Sequence, residues 1–140
     1  MDIKTHISDI MVTDLIVTNP NTTLDKVKEL FDNNRFHHIP VVENDTLLGI
    51  ISKIDLYRVA NSIDLFHSKS NTELNDRLFK SLLAEEIMTT DVVTLSPTDK
   101  LDHAANLFNT NQFHALPVVK GGKLVGMLTT LDLIRHAYLS

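Results

Sequence analysis

The stretch that decides the fold is Gly126-Met127-Leu128-Thr129-Thr130-Leu131-Asp132-Leu133, because the chain contains it twice. Its counterpart is Gly49-Ile50-Ile51-Ser52-Lys53-Ile54-Asp55-Leu56, at an offset of 77 residues. Each copy is an apolar strand opened by glycine, followed by a hydroxyl residue, two further residues, an aspartate and a leucine. This pattern predicts a strand that ends where a helix begins. A hydroxyl and a carboxylate would then lie beside unpaired backbone N–H groups.

The repetition extends well beyond this stretch. Residues 10–60 align with residues 87–137 without a gap, and 21 of the 51 aligned pairs are identical. The identical pairs include Pro20 with Pro97 and His37 with His114. Chance does not produce this agreement, so the chain is an internal duplication.

Each repeat begins with the same two predicted elements. Residues 15–17 and 92–94 are short β-rich runs that predict a first strand. The Asn-Pro and Ser-Pro pairs at 19–20 and 96–97 predict a helix with proline at its first position. Apolar residues then fall at helical spacing, which gives each helix one face to bury. These residues are Leu24, Val27, Leu30 and Phe31 in the first repeat, and Leu101, Ala104, Leu107 and Phe108 in the second.

A hairpin and a final helix complete each repeat. Strands are predicted at 39–43 and 47–52 around Asn44-Asp45, and at 116–120 and 124–129 around Gly121-Gly122. The last helix should start near Asp55 or Asp132. We therefore predict an α/β (α+β) fold in which tandem β-α-β-β-α repeats pack sheet to sheet with pseudo-two-fold symmetry. A single copy of about 50 residues would leave too much apolar surface exposed.

The predicted domain organisation is a first repeat with the N-terminal segment at 1–60, a helical spacer at 61–86 and a second repeat at 87–140. Residues 70–73 resemble a capping box. An apolar stripe follows on the spacer helix, and it either tethers the helix to the repeats or forms a partner or dimer surface. The stripe consists of Leu74, Leu78, Phe79, Leu82 and Leu83.

Composition excludes several classes of protein. The 140 residues are 43% hydrophobic and 22% charged, which is ordinary for a soluble globular protein. No apolar run approaches the roughly 18 residues that a membrane span needs, and residues 1–6 contain no apolar signal core. With no cysteine there is no disulfide or thiolate metal site. A net charge of −5 without a basic run disfavours a broad nucleic-acid surface but permits one local anion site. We expect a cytoplasmic protein.

With the duplication, the Pro-Val-Val strands and the repeated Gly-x-x-[Ser/Thr]-x-x-Asp-Leu stretch in view, the chain resembles a CBS-domain pair. This module is named after cystathionine β-synthase. The resemblance covers about residues 8–138, and the spacer resembles that of small stand-alone bacterial members. The matching motifs are Ile-Met-x-Thr at 10–13 and 87–90, Phe-His-His-Ile-Pro-Val-Val at 36–42 and Phe-His-Ala-Leu-Pro-Val-Val at 113–119.

The resemblance implies a regulatory module rather than an enzyme, with no obligatory cofactor. Members bind AMP, ADP or ATP, and in some cases S-adenosylmethionine or NAD-type molecules, in two related clefts. They commonly pair into flat homodimers. For this chain the resemblance implies a sensor of adenine nucleotides that passes its signal to a separate, unidentified protein partner. Neither nucleic acid nor a membrane is an expected partner.

Position by position, the resemblance assigns three groups of residues. Asp55 and Asp132 would accept hydrogen bonds from ribose hydroxyls, as the acidic residue of a dinucleotide fold does. The residues that would contact the ligand's phosphate are Ser52 and Thr129 at the helix starts, with His37, His38 and His114. The residues that would contact its adenine are Thr13, Thr90, Ile16 and Val93. Because Ala115 replaces His38 in the second repeat, the two clefts are expected to bind phosphate unequally.

Three other interpretations stay open at this stage. A Ser-x-x-Asp pattern at a helix start also describes a capping box whose side chains only satisfy backbone donors. The whole chain could be a dimerising scaffold that binds no ligand. It could also be an enzyme acting on a bound nucleotide, although no nucleophile or paired acid and base follows from the spacing. No metal site is predicted, because the adjacent His37 and His38 should point to opposite sides of an extended segment.

Overall fold

The structure is a computed structural model that describes residues 4–64, 72–111 and 113–139. Its elements form a mixed α+β fold. In chain order they are α1 Leu24–Asp32, β1 His38–Glu43, β2 Thr46–Ser52, α2 Lys53–Asp64, α3 Thr72–Ser81, α4 Ala84–Ile87, α5 Leu101–Asn111, β3 Ala115–Lys120, β4 Lys123–Thr129 and α6 Thr130–Tyr138. A 3-10 turn at Ile7–Asp9 precedes them.

The chain divides into two compact units. The first, here called the repeat-1 unit, contains Ile16–Asn44 and Leu48–Asp91. The second, the repeat-2 unit, contains Met1–Leu15, Asp45–Leu47 and Val92–Ser140. Each unit therefore includes the opening segment of the other repeat, which the alignment of the two repeats does not predict.

The core of the repeat-1 unit forms around the apolar face of α1. Leu24, Val27 and Phe31 are buried on that face, as their helical spacing predicts. Burying a side chain of this size contributes about 1.5–3 kcal/mol. Phe79 of α3 is buried in the same cluster, which supports the interpretation of α3 as a tether. The other members are Ile39, Val41, Ile51, Leu56 and Ala84.

The repeat-2 unit has an equivalent core around α5. Leu101, Ala104 and Phe108 are buried on its apolar face. Ile7, from the N-terminal 3-10 turn, is fully buried among them. The remaining members are Leu95, Leu116, Val118 and Leu128. Residues from the beginning of the chain thus complete the core around the second repeat's helix.

Both predicted hairpins are confirmed, with strand bounds that differ by one residue at their first positions. Asn44 and Asp45 have φ values of 50° and 66°, and Gly121 and Gly122 have 58° and 80°. Positive φ at both central residues is what a two-residue hairpin turn requires. β3 and β4 pair antiparallel from Ala115 opposite Thr129 to Lys120 opposite Lys123.

The predicted first strands at 15–17 and 92–94 are wrong. The structure has only single parallel bridges one residue later, Thr18 with Val41 and Leu95 with Val118. Proline explains why each ladder stops after one bridge. Proline has no backbone N–H to donate. Extending the Thr18–Val41 bridge toward residue 16 would require an N–H at Pro40, and extending it toward residue 20 would require an N–H at Pro20. Pro117 and Pro97 impose the same limits in the second repeat.

The predicted helix starts at Pro20 and Pro97 are also wrong, because α1 and α5 begin four residues later. Each proline instead lies in a turn. The Ser96 backbone N–H donates to Oδ2 of Asp99 at 2.7 Å, and the Asp99 N–H donates to the Ser96 carbonyl at 3.0 Å. The residue before each helix then forms an antiparallel bridge, Thr23 with Leu83 and Lys100 with His6. Bridge geometry is extended, so the helix starts only after it.

The capping box predicted at 70–73 lies outside the described residues and side chains. Within residues 4–64, 72–111 and 113–139, we find no helix with the length and hydropathy of a membrane span.

Candidate functional site

In the repeat-1 unit, Ser52 and Asp55 cap the start of α2 reciprocally. The Ser52 backbone N–H donates to Oδ2 of Asp55 at 2.8 Å. The Asp55 N–H donates in return to Oγ of Ser52 at 3.2 Å. Both side chains are partly buried, so the cap is a fixed feature of the strand-to-helix junction.

In the repeat-2 unit, Thr129 and Asp132 form the same arrangement at the start of α6. The Thr129 N–H donates to Oδ2 of Asp132 at 2.8 Å, and the Asp132 N–H donates to Oγ1 of Thr129 at 3.2 Å. The distances equal those in the first repeat. The predicted Ser/Thr–Asp pairs therefore occupy equivalent positions at two helix starts.

Backbone hydrogen bonds hold the predicted histidines beside these caps. The Lys53 N–H, at the start of α2, donates to the His37 carbonyl at 2.9 Å. The Thr130 N–H donates to the His114 carbonyl at 3.1 Å in the same way. The side chains of His37 and His114 are exposed, and His38 is partly buried at the start of β1. The structure thus brings His37 to the Ser52–Asp55 pair and His114 to the Thr129–Asp132 pair.

The threonines predicted for the adenine end lie in the unit of the opposite repeat. Thr89 forms an antiparallel bridge with Ile50, so the neighbouring Thr90 belongs to the repeat-1 unit. Val12 forms the corresponding bridge with Met127, so Thr13 belongs to the repeat-2 unit. Both threonines are exposed. Thr90 therefore shares a unit with Asp55, and Thr13 shares one with Asp132.

The two strand glycines permit this arrangement. A Cβ added to Gly126 would stand 2.6 Å from Sδ of Met11 and 3.1 Å from the Val12 carbonyl oxygen. A Cβ added to Gly49 would stand 2.7 Å from both Sδ of Met88 and the Thr89 carbonyl oxygen. Glycine within a strand often indicates such a close approach of another backbone. This signal is present in the sequence, although it does not identify the approaching segment.

Ile16 and Val93 are 40% and 39% exposed, which is high for branched apolar side chains. Ile16 belongs to the repeat-1 unit and Val93 to the repeat-2 unit. Ile16 is the first residue of the segment Ile16–Asn44, and Val93 is the second residue of the segment Val92–Ser140. Their assignment to an adenine subsite stays a prediction.

Sequence reasoning missed an arginine at the sixth residue of both α2 and α6. Nη1 of Arg58 lies 4.0 Å from Oδ1 of Asp55, and the two side chains are 78% and 21% exposed. Water screens an ion pair of this kind, so its contribution to stability is small. Arg135 occupies the corresponding position in α6. In both repeats an arginine follows the aspartate by three residues, and this shared spacing could have revealed both arginines from the sequence.

Each helix start offers a carboxylate, a hydroxyl and a helix N-terminus within one turn. A carboxylate can accept hydrogen bonds from sugar hydroxyls. The N-terminus of a helix favours an anion such as phosphate. Two open depressions of about 310 and 380 Å³ lie elsewhere, beside α1, and no predicted site residue lines them.

The comparison with known proteins agrees with the fold. The CBS domain family matches residues 7–62 and 84–138. The protein MJ1225 of Methanocaldococcus jannaschii is 33% identical over 131 residues, which cover 93% of this chain and 46% of that protein. A CBS domain-containing protein of Dictyostelium discoideum, DDB_G0289609, is 36% identical over 135 residues and is matched over 90% of its length. The chain spans less than half the length of three curated relatives that it matches.

Solved structures give the same result. The crystal structure of CBSX2 in complex with AMP, a protein of Arabidopsis thaliana, has a TM-score of 0.78 and 28% identity, and the match covers 96% of both chains. The crystal structure of MJ1225 has a TM-score of 0.79 and 31% identity over 98% of this chain. With two matched copies covering most of its length, the chain belongs to the CBS domain family and carries a pair of CBS domains.

Proposed function

We propose that this protein is a regulatory module that binds adenosine nucleotides at two sites, one in each compact unit. The observation that carries the proposal is the repeated junction of a Ser/Thr–Asp cap with a histidine backbone, in which the cap distances are equal in both units. Its occurrence in a relative of CBSX2, a protein crystallised with AMP, supports an adenosine ligand. We assign no catalytic residue.

The aspartates are the proposed ribose acceptors. The cap engages Oδ2 of Asp55 and of Asp132 through one backbone N–H each. We assign the second oxygen, Oδ1, to the ribose hydroxyls. Capping and binding are therefore compatible, because they use different oxygen atoms of one carboxylate. The cap also fixes the carboxylate before the ligand arrives, which reduces the entropic cost of binding.

The phosphate end is assigned to the helix starts. Ser52 and His37 lie at the N-terminus of α2, and Thr129 and His114 lie at that of α6. Helices of 12 and 9 residues place partial positive charge there. A histidine beside an anion can also take up a proton and strengthen the contact. We assign Thr90 and Ile16, and in the other unit Thr13 and Val93, to the adenine end.

The second candidate function is a dimerising scaffold, and one observation favours a second copy of this chain as a partner. Exposed apolar side chains recur at corresponding positions of α2 and α6. Ile54 at 58% and Tyr57 at 56% exposure on α2 correspond to Leu131 at 49% and Ile134 at 51% on α6, and Tyr138 at 82% extends the α6 set. Spacings of three and four residues place each set on one helix face. A face repeated within one chain suits an isologous contact between copies.

Homodimerisation is compatible with sensing, and the two proposals have separate tests. Light scattering should show a dimer for the native protein and a monomer for Ile134→Arg. Asn106→Arg, on the exposed side of α5, is the matched control and should stay dimeric. An unchanged mass for Ile134→Arg would reject this face as the interface.

The absence of cysteine is consistent with action in the cytoplasm, which we propose as the compartment.

A ligand panel tests the proposed function. AMP, ADP, ATP, S-adenosylmethionine and NAD are added at millimolar concentration, and the midpoint of thermal unfolding is measured. A ligand at about 100 times its Kd stabilises the folded state by about 2.7 kcal/mol, which raises the midpoint by a few degrees. A rise with at least one adenosine ligand supports sensing. No rise with any of them would favour the scaffold.

A further inference from the structure

The two proposed sites share their backbone geometry but differ in positive charge. Lys53 and Thr130 are equivalent, because each is the first residue of its helix. The Lys53 N–H donates to the His37 carbonyl at 2.9 Å, and the Thr130 N–H donates to the His114 carbonyl at 3.1 Å. Both side chains are partly buried. One carries an ammonium group at this position and the other a neutral hydroxyl.

At two more positions the first repeat has a basic side chain and the second repeat does not. His38 begins β1, whereas the buried Ala115 begins β3. Arg35 is exposed in the connection between α1 and β1, two residues before His37. The sequence has Gln112 at the corresponding position of the second repeat, outside the described residues. The repeat-1 site therefore has two fixed cations and one titratable group that the repeat-2 site lacks.

The remaining charged groups near the sites cancel in this comparison. Arg58 and Arg135 correspond to each other, as do the two cap aspartates. Asp91, which follows Thr90, corresponds to Asp14, which follows Thr13. An opposing difference is His136 of α6, whose counterpart in α2 is Val59. The fixed positive charges that differ between the sites are those of Lys53 and Arg35.

We infer that the two sites select ligands by charge, an inference that rests on the proposed function. The repeat-1 site takes adenosine polyphosphates of the ADP or ATP type. The repeat-2 site takes adenosyl ligands of low negative charge, such as AMP or an uncharged or cationic adenosyl compound. Each additional phosphate group increases the contribution of a nearby ammonium to the binding free energy, because charge-assisted hydrogen bonds are about twice as strong as neutral ones. Lys53 contributes as a mobile point charge that can follow the phosphate chain.

The test measures ATP and AMP affinities by calorimetry in proteins that keep one site. Asp132→Ala removes the ribose acceptor of the repeat-2 site and keeps the repeat-1 site intact. Asp55→Ala does the reverse. We expect the ATP preference over AMP to be about tenfold greater in the Asp132→Ala protein, the equivalent of about 1.4 kcal/mol. Adding Lys53→Thr should reduce this preference, with Arg35 and His38 still in place, and adding Thr130→Lys to the Asp55→Ala protein should increase its preference for ATP.

Lys80→Thr is the matched control for a general charge effect, since Lys80 is exposed at the end of α3 in the same unit. It should leave the ratio of ATP to AMP affinity unchanged. Lys53→Thr and Thr130→Lys are also measured in the otherwise native protein, where both caps are intact. There the first should weaken the tighter ATP-binding event about tenfold, and the second should strengthen ATP binding at the other site.

The outcomes separate this inference from the proposed function. Equal ATP-to-AMP ratios at two functional sites, unaffected by Lys53→Thr, would overturn charge selection and leave nucleotide binding intact. Failure of native protein to bind any adenosine ligand would overturn both. A ratio that changes equally with Lys80→Thr would also overturn the inference, because a remote charge would then explain it.

Discussion

The carbonyl oxygen of Thr89 lies where a side chain on Gly49 would have to stand, since a Cβ there would be 2.7 Å away. Two hydrogen bonds between Ile50 and Thr89, of 2.9 and 3.0 Å, fix this approach. The opening of the second repeat is thus bound to a strand of the first by its backbone. This contact places Thr90 in the unit of Asp55, and the equivalent bridge between Val12 and Met127 places Thr13 in the unit of Asp132.

Gly49→Ala should therefore destabilise the protein by about 1–3 kcal/mol, the usual cost of overpacking. Gly126→Ala should cost less, because its closest neighbour is the flexible Met11 side chain and the backbone oxygen of Val12 is 3.1 Å away. Gly121→Ala is the control: apart from its chain neighbours, no atom of the described residues lies within 4 Å of the added Cβ, although its φ is +58°. Chemical denaturation gives all three values. A Gly49→Ala cost no larger than that of Gly121→Ala would contradict the close approach.

Removing the cap hydroxyls should lower stability by about 1 kcal/mol at each helix. Ser52→Ala leaves the Asp55 N–H without its 3.2 Å partner, and Thr129→Ala does the same to the Asp132 N–H. Urea unfolding measures both losses. Thr110→Ala is the control, because its exposed hydroxyl caps no helix start: it donates to the Asn106 carbonyl and accepts from the Asn111 side-chain amide, both within α5. If Thr110→Ala cost as much as the two cap variants, the caps would have no special role.

Asp25 supplies a pH-dependent contribution to stability. The hydroxyl of Thr23 donates a hydrogen bond to this carboxylate and lowers the pKa of Asp25 below its ordinary value. A group whose pKa is lower in the folded state stabilises that state above its unfolded pKa, about 3.9. This stability is lost as the pH falls through the lowered pKa. NMR titration of the carboxyl carbon should show the low pKa, and Thr23→Val should raise it toward the ordinary value. An unchanged titration in Thr23→Val would exclude the hydroxyl as the cause.

Local patterns in the sequence were sufficient for the hairpins, the final helices and the burial of α1 and α5. The turn residues Asn44 and Gly121 and the spacing of Leu24, Val27 and Phe31 each act within a few residues. The first strands failed as predictions because β propensity at residues 15–17 does not reveal that Pro40 withholds the next ladder donor. That limit depends on which strand lies alongside, a tertiary property.

The candidate site shows the same division. The pairing of Ser52 with Asp55 follows from a spacing of three residues at a helix start. The presence of Thr90, rather than Thr13, in the unit of Asp55 follows from long-range contacts that no local pattern encodes. Gly49 and Gly126 indicate a close approach in both strands. Only the structure identifies Thr89 and Met11 as the residues that approach.

Calorimetry of AMP binding tests the central claim most directly. The native protein is compared with the double variant Asp55→Ala/Asp132→Ala and with the control Asp25→Ala/Asp102→Ala, which alters first-turn carboxylates of α1 and α5. Circular dichroism first establishes that both variants are folded. We predict that AMP binds the native protein and the control but gives no binding heat with the cap-aspartate variant. Equal AMP affinity in all three proteins would contradict the assignment of Asp55 and Asp132 to the ribose.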